Sequence, residues 1–253
     1  MTNSIIEFRD VEYQINTKAP RRVLTGISLA IHAGETVALL GRSGSGKTTL
    51  LKLINGLRTY TSGTVLVRER AVPEWDRIRL RRSIGYVIQE VGLFPHLQVR
   101  ENVLLVPGLE GWAPERAAAR YREVMQLVGL DPAEYATRYP RELSGGQRQR
   151  IGVARALAAD PEILLMDEPF GAVDPVTRAE LQREFLALAR RMSKTVVLVT
   201  HDLREALLLS TRIVLLEAGR IVADSTPRGF STLDHPVARQ FASAAALVPE
   251  GAS

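Results

Sequence analysis

Gly41-Arg-Ser-Gly-Ser-Gly-Lys-Thr-Thr49 follows a short apolar run, Thr36-Val-Ala-Leu-Leu40, and leads into Leu50, Leu51, Leu53 and Ile54 at helical spacing. Strand, glycine-rich turn and helix form the setting in which G-x-x-x-x-G-K-[ST] is a phosphate-binding loop. Gly41, Gly44 and Gly46 open backbone angles closed to other residues, so successive N–H groups can turn inward on phosphate oxygens. The helix starting near Gly46 adds its positive end. Lys47 can reach terminal phosphates, and the Thr48 hydroxyl can ligate Mg²⁺. The stretch predicts a site for a nucleoside triphosphate.

Outward from this loop, bulk composition sets bounds. The sequence has 253 residues, 45% hydrophobic and 24% charged, ordinary values for a globular chain with ample core. Its apolar runs, such as Ile163-Leu-Leu-Met166 and Thr195-Val-Val-Leu-Val199, fall far short of the roughly 18 residues a membrane helix needs. Met1-Thr-Asn-Ser-Ile-Ile-Glu7 lacks the basic head and apolar core of a signal peptide, which predicts a cytoplasmic address. With no cysteine, disulfides and thiolate metal sites are ruled out. The net charge of +5 raises nucleic acid or an anionic membrane as partner. The basic knot Arg77-Ile-Arg-Leu-Arg-Arg82 has no interleaved aromatic residues for base stacking and reads as a solvated helix face.

Along the chain, residues 4–9, 22–31 and 36–40 read as strands, with Tyr13 at the end of the first and a polar turn at 16–22. A helix over 47–57, strands at 65–67 and 84–88 and a basic helix at 76–82 follow. From about 90 to 160 helical spacing dominates, at 98–106, 114–128 and 146–159. Strand returns at 163–167, then a helix at 175–192, a strand at 195–200, a helix at 202–210, strands at 212–217 and 220–224, and a short helix at 236–246. The alternation predicts an α/β fold with a mostly parallel sheet. One domain is expected over 1–253, with a sheet core at 1–90 and 160–246 and an inserted helical subdomain at 91–159.

Three further motifs carry chemistry. Ile163-Leu-Leu-Met-Asp-Glu-Pro169 is a buried strand ending in two carboxylates, costly without a use. Asp167 can hold Mg²⁺, and Glu168 can take a proton from an attacking water. His201 and Gln89 each follow a strand, where parallel sheets gather ligand-facing groups. His201 can meet a terminal phosphate or the attacking water; Gln89 can orient water or touch Mg²⁺. Leu143-Ser-Gly-Gly-Gln147 opens a helix in which Ser144 and Gln147 make a capping box. Gly145 and Gly146 are poor helix starters unless the backbone must come close to an anion. A second anion cradle makes sense if the nucleotide it serves is held by another molecule.

With these motifs in this order over about residues 4–240, the chain resembles the ATP-binding subunit of an ABC transporter. Gly41–Thr49, Ser43 and Thr49 included, matches the Walker A loop, and Gln89 the Q-loop. Leu143–Gln147 matches the family signature, Ile163–Glu168 the Walker B strand, Asp174 the D-loop and His201 the switch histidine. Tyr13 matches the aromatic residue that stacks on adenine. Gly171-Ala-Val-Asp174 departs mildly from the usual Ser-Ala-Leu-Asp. The resemblance implies a P-loop cassette with an antiparallel β subdomain, binding ATP and Mg²⁺ through Thr48, Gln89 and Asp167. It implies a homodimer or paired cassette in which each ATP lies between one chain's Walker A loop and the other's Ser144–Gln147. It also implies a transmembrane permease docking near Gln89, an extracytoplasmic solute-binding protein, no nucleic acid, and a place on the inner face of the membrane.

Ile84-Gly-Tyr-Val-Ile-Gln-Glu-Val-Gly-Leu-Phe-Pro-His96 and Met166-Asp-Glu-Pro-Phe-Gly-Ala-Val-Asp-Pro175 resemble cassettes that energise uptake of quaternary-amine osmoprotectants: glycine betaine, choline or carnitine. Many of those carry a C-terminal regulatory pair of CBS domains; over these 253 residues none is expected. Importers of other small solutes share much of this stretch. A soluble ABC ATPase of DNA repair or translation usually carries two cassettes or a long coiled-coil insertion. A small-molecule phosphotransferase would leave Ser144–Gln147 unexplained.

Overall fold

The structure, a computed structural model, describes residues 4–15, 20–89, 92–171, 173–191 and 194–246. The polar turn at 16–22 and the Gly171–Asp174 stretch each lie partly outside the described residues. In chain order the elements are β1 (Ser4–Ile15), β2 (Arg21–His32), β3 (Thr36–Leu40), α1 (Lys47–Ile54), β4 (Ser62–Val67), β5 (Arg70–Ala71), α2 (Arg77–Arg82), β6 (Ile84–Val87), α3 (Val99–Val103), α4 (Leu105–Leu109), α5 (Pro114–Leu127) and α6 (Pro132–Tyr135). Then come α7 (Gly145–Leu157), β7 (Ile163–Asp167), α8 (Pro175–Arg191), β8 (Thr195–Thr200), α9 (Leu203–Leu209), β9 (Arg212–Glu217), β10 (Arg220–Ser225), α10 (Pro227–Phe230) and α11 (Pro236–Ala246). None of the described helices is long and apolar enough to cross a membrane. The chain divides into two compact units, Met1–Leu80 with Thr195–Ser253, and Arg81–Lys194.

In the first unit β2-β1-β4-β5 form an antiparallel sheet, and β10-β9-β3-β8 lie side by side in a second. β3 and β8 are buried along their whole length, as strands covered on both faces must be. They pair in parallel from Thr36↔Val196 to Leu40↔Thr200, and β9 flanks β3 in parallel on the other side. β1 runs further than the expected 4–9. Its register against β2 shifts between Phe8 and Val11, where Asp10 takes φ 47 and its N–H donates to Ser28 Oγ at 3.1 Å. This bulge changes the parity of the buried side chains, from Ile6 and Phe8 to Val11 and Tyr13. Gly63 is required beside it, because a Cβ there would sit 2.2 Å from the Asp10 carbonyl oxygen.

In the second unit β6 and β7 pair in parallel from Ile84↔Ile163 to Val87↔Met166. Helix α7 packs against β6 so closely that a Cβ on Gly85 would lie 2.5 Å from the Ala156 carbonyl oxygen. Arg120 of α5 closes the other end of α7, donating to the carbonyls of Leu157 (2.7 Å) and Ala158 (3.3 Å), where a cation suits a helix C-terminus. The expected helix at 98–106 is two short helices, α3 and α4, with Leu104 between them at φ -87, ψ 11. Asn102, fully buried in α3, ties down the preceding loop. Its Oδ1 accepts from Phe94 N–H (2.7 Å), and its Nδ2 faces the carbonyls of Phe94, Leu97 and Gln98 at 3.0–3.1 Å.

Candidate functional site

The phosphate loop of the first unit is built by close approaches only glycine allows. A Cβ on Gly41 would meet the Leu216 carbonyl oxygen at 2.4 Å, and one on Gly46 the Leu24 Cδ2 at 2.6 Å. Gly46 sits at φ 106 as the cap of α1, and Gly44 at φ 79 with nothing near it. The loop is therefore hemmed in on its protein side and open at Gly44. Lys47 is buried and lies back along the loop, donating to the carbonyls of Gly41 (2.7 Å) and Arg42 (2.9 Å). The Gly219 N–H donates to the Ser45 carbonyl at 3.1 Å, and Arg42 donates to Gln240 Oε1 of α11 at 2.7 Å. Ser45 is 5% exposed, and its Oγ is buried without a hydrogen-bond partner among the described residues.

Tyr13 and His201 belong to the same unit. Tyr13 is 8% exposed, its ring packed in the inward row of β1 opposite Leu24. His201 is exposed and directly follows Thr200, the cross-strand partner of Leu40, so Gly41 and His201 begin at neighbouring strand ends. Asp202 caps α9, its Oδ1 accepting from the Arg204 N–H at 2.8 Å.

The second unit holds the remaining residues. Gln89 is exposed just past β6, and Asp167 and Glu168 end β7, so the parallel register brings both polar ends to one edge. Tyr86 Oη lies 3.5 Å from Asp167 Oδ2. Burial, and then the Asp167 charge, push the Tyr86 phenol up, so it stays a protonated donor. Sequence reading missed this partner, although Tyr86 pairs with Leu165, two residues before Asp167 and so on the same face of the sheet. Glu168 takes φ 46, a left-handed conformation that costs a non-glycine residue about 1 kcal/mol or more and concentrates at functional sites. Among the described residues no group of three or more His, Asp or Glu could hold a metal by itself. Taken each in its own unit, Thr48 and Asp167 offer hard oxygens of the kind Mg²⁺ prefers.

Ser144 caps α7. Its Oγ accepts from the Gln147 N–H (3.2 Å) and its own N–H donates to Gln147 Oε1 (2.8 Å), while Gln147 Nε2 donates to the Tyr135 hydroxyl at 2.9 Å. The two glycines after it have different reasons. A Cβ on buried Gly146 would meet Thr177 Cγ2 at 2.7 Å, so packing on α8 requires glycine there. Among the described residues, a Cβ on Gly145 would meet only Val173 Cγ1 at 3.8 Å, ordinary contact. Asp174 sits just before α8, and hydrogen bonds from Thr177 hold its carboxyl below the usual range.

Comparison with known proteins agrees with this geometry. Residues 24–171 match the model of the ABC transporter family. The glycine betaine/carnitine/choline transport ATP-binding protein OpuCA of Bacillus subtilis is 51% identical over 210 residues, 83% of this chain and 55% of that protein. The osmoprotectant import ATP-binding protein OsmV of Salmonella typhimurium is 50% identical over 82% of this chain and 54% of its own. The chain thus spans about half the length of these relatives. Among solved structures, a dimeric ATP-binding cassette in a post-hydrolysis state bound to ADP and Pi superposes with TM-score 0.79 at 33% identity, over 88% of this chain and 99% of that one. The phosphate loop, the capped Ser144 helix and the paired carboxylates all fall within the span the family model covers or directly continue it, and the chain belongs to the ABC transporter family.

Proposed function

We propose that this chain is the ATP-hydrolysing subunit of an importer, working as a dimer that powers a membrane permease for quaternary-amine osmoprotectants. The observation that carries the assignment is the roughly 50% identity to ATP-binding proteins named for glycine betaine, carnitine and choline transport. The iron and sulfate importer subunits also match, at 43% and 46%, so the solute is the part of the reading least recorded in the cassette.

In the mechanism, the N–H groups of Gly41–Thr49 and Lys47 cradle the phosphates and compensate charge that develops on them. Mg²⁺, assigned to Thr48, Gln89 and Asp167 by family resemblance, supplies Lewis-acid polarisation when bound. Glu168 accepts the proton of the attacking water, Gln89 orients that water, and His201 holds the terminal phosphate oxygen. Tyr13 is the residue assigned to the adenine, through whatever edge its packing leaves open. The second half of each site is Ser144–Gln147 of another copy. Gly145 supports this arrangement, since it weakens α7 with no close packing among the described residues that requires glycine. Hydrolysis then releases the closed pair and moves the permease.

The test is uptake of labelled glycine betaine, choline and carnitine at high osmolarity in cells lacking the gene. Wild-type chain is expected to restore uptake and Glu168→Gln to fail while still binding ATP. Unchanged uptake of all three without the gene overturns the cargo assignment. Normal turnover by purified Glu168→Gln overturns the role of the carboxylate.

A further inference from the structure

Glu205 is a carboxylate that the mechanism above does not use, yet it is 6% exposed in the first turn of α9. Burying such a group is costly unless its oxygens are engaged. It occupies the third position after the cap residue Asp202, where a glutamate normally reaches back to the cap's own N–H in a capping box. Here another group stands between them. The Asp202 N–H donates to Thr200 Oγ1 at 3.0 Å, and the Thr200 hydroxyl donates to Glu205 Oε2. Thr200 is 1% exposed, so this chain of bonds is shielded from water and strengthened by it. The capping box is closed through a side chain two residues before the cap.

His201 is the residue enclosed by that ring. Its own side chain is exposed, while the residue before it and the fourth residue after it are hydrogen-bonded to each other and buried. The strand end is fixed in turn by the parallel register Leu40↔Thr200. We infer that Thr200 and Glu205 are positioning residues for His201: their hydrogen-bonded ring fixes the backbone from which the histidine meets the terminal phosphate. The inference rests on the role given to His201 above. Thr200 is suited to it, because its hydroxyl accepts and donates at once while its branched carbon satisfies the strand.

The experiment measures ATP turnover, ATP affinity and melting temperature of the full chain carrying Thr200→Val, which keeps shape and strand preference but removes the hydroxyl. Turnover is expected to fall at least tenfold, with ATP affinity changed less than twofold, and Thr200→Ser is expected to restore turnover to within threefold. Glu205→Gln, whose carbonyl still accepts, should remain near wild type, and Glu205→Leu should repeat the loss; this pair decides the matter where Thr200→Val does not fold. In a His201→Ala background, Thr200→Val should cost nothing further, since coupled residues are non-additive. Wild-type turnover by Thr200→Val beside a crippled His201→Ala overturns this inference alone. Equal loss of affinity and turnover, or a further loss in the His201→Ala background, also overturns it. Full turnover by His201→Ala overturns the role of the histidine itself.

Discussion

Gly145→Ala separates two reasons for opening a helix on glycine. Gly145 and Gly146 are the first two residues of α7, after the Ser144 cap. Replacing a helical glycine by alanine reduces the freedom of the unfolded chain and stabilises by about 0.4–1 kcal/mol where the backbone and space permit. At Gly145 the added methyl has, among the described residues, only Val173 Cγ1 near it, at 3.8 Å. The expected gain is about 0.5 kcal/mol, the low end because the first helical position is the least ordered, or roughly 1–2 °C in melting temperature for a chain of this size. At Gly146 the methyl would stand 2.7 Å from Thr177 Cγ2, and Thr177 is anchored by its N–H on Asp174 Oδ1 at 3.0 Å. Overpacking of that kind costs about 1–3 kcal/mol, so Gly146→Ala should melt several degrees lower. Activity should not follow stability. If the Gly145 amide lies against a nucleotide held by a second copy, a methyl at its flank pushes the anion away, and turnover should fall about tenfold or more, equivalent to about 1.4 kcal/mol. The assay is thermal unfolding without nucleotide beside phosphate release and ATP-driven dimerisation. A Gly145→Ala chain that melts higher, dimerises and turns over normally refutes the shared anion site. One that melts lower refutes the claim of free space.

Gly41→Ala is expected to abolish nucleotide binding, because its methyl would stand 2.4 Å from a backbone oxygen that cannot swing aside; retained ATP affinity in equilibrium dialysis would contradict this. Asn102→Leu removes the partner of the Phe94 N–H and of three carbonyls, and should destabilise by about 3 kcal/mol, lowering the melting temperature by roughly 6–12 °C. A drop under about 2 °C would show that water replaces the clamp. Asp160 is held below the usual carboxylate range, first by its hydrogen bond to Lys194 (2.8 Å) and further by Arg120 and Arg116. A depressed native pKa contributes stability that is present above the unfolded value of about 3.9 and lost as pH falls through the native value. Lys194→Met should therefore raise the Asp160 titration midpoint seen by NMR and flatten the acid limb of the stability curve; an unmoved midpoint would assign the shift to the arginines.

Much of the fold could be read because its strands are short apolar runs that stop at a residue with work to do. Thr36–Leu40 stops at Gly41, Thr195–Thr200 at His201 and Ile163–Met166 at Asp167. β1 is harder to read: the apolar pattern carries a strand only over 4–9, whereas the chain takes one left-handed residue at Asp10 and continues as strand to Ile15. Periodicity merged α3 and α4 into one helix, because the break at Leu104 leaves the apolar spacing intact. The partners Tyr86, Asn102 and Arg120 were not legible either, since each acts across the sheet or between helices on a group set by tertiary packing.

The glycines make the same distinction at finer grain. Sequence places Gly145 and Gly146 in one category, as flexible residues at a helix start that suit an anion. Packing splits them: Gly146 is spoken for by Thr177, which leaves Gly145 as the position whose glycine the chain does not explain by itself. A weak helix start asks for compensation. The proposed shared site supplies one at α7, the polyanion carried by a second copy. On that proposal alanine at 145 stabilises the helix and harms turnover, and the difference between those two residues is what the melting and turnover measurements weigh.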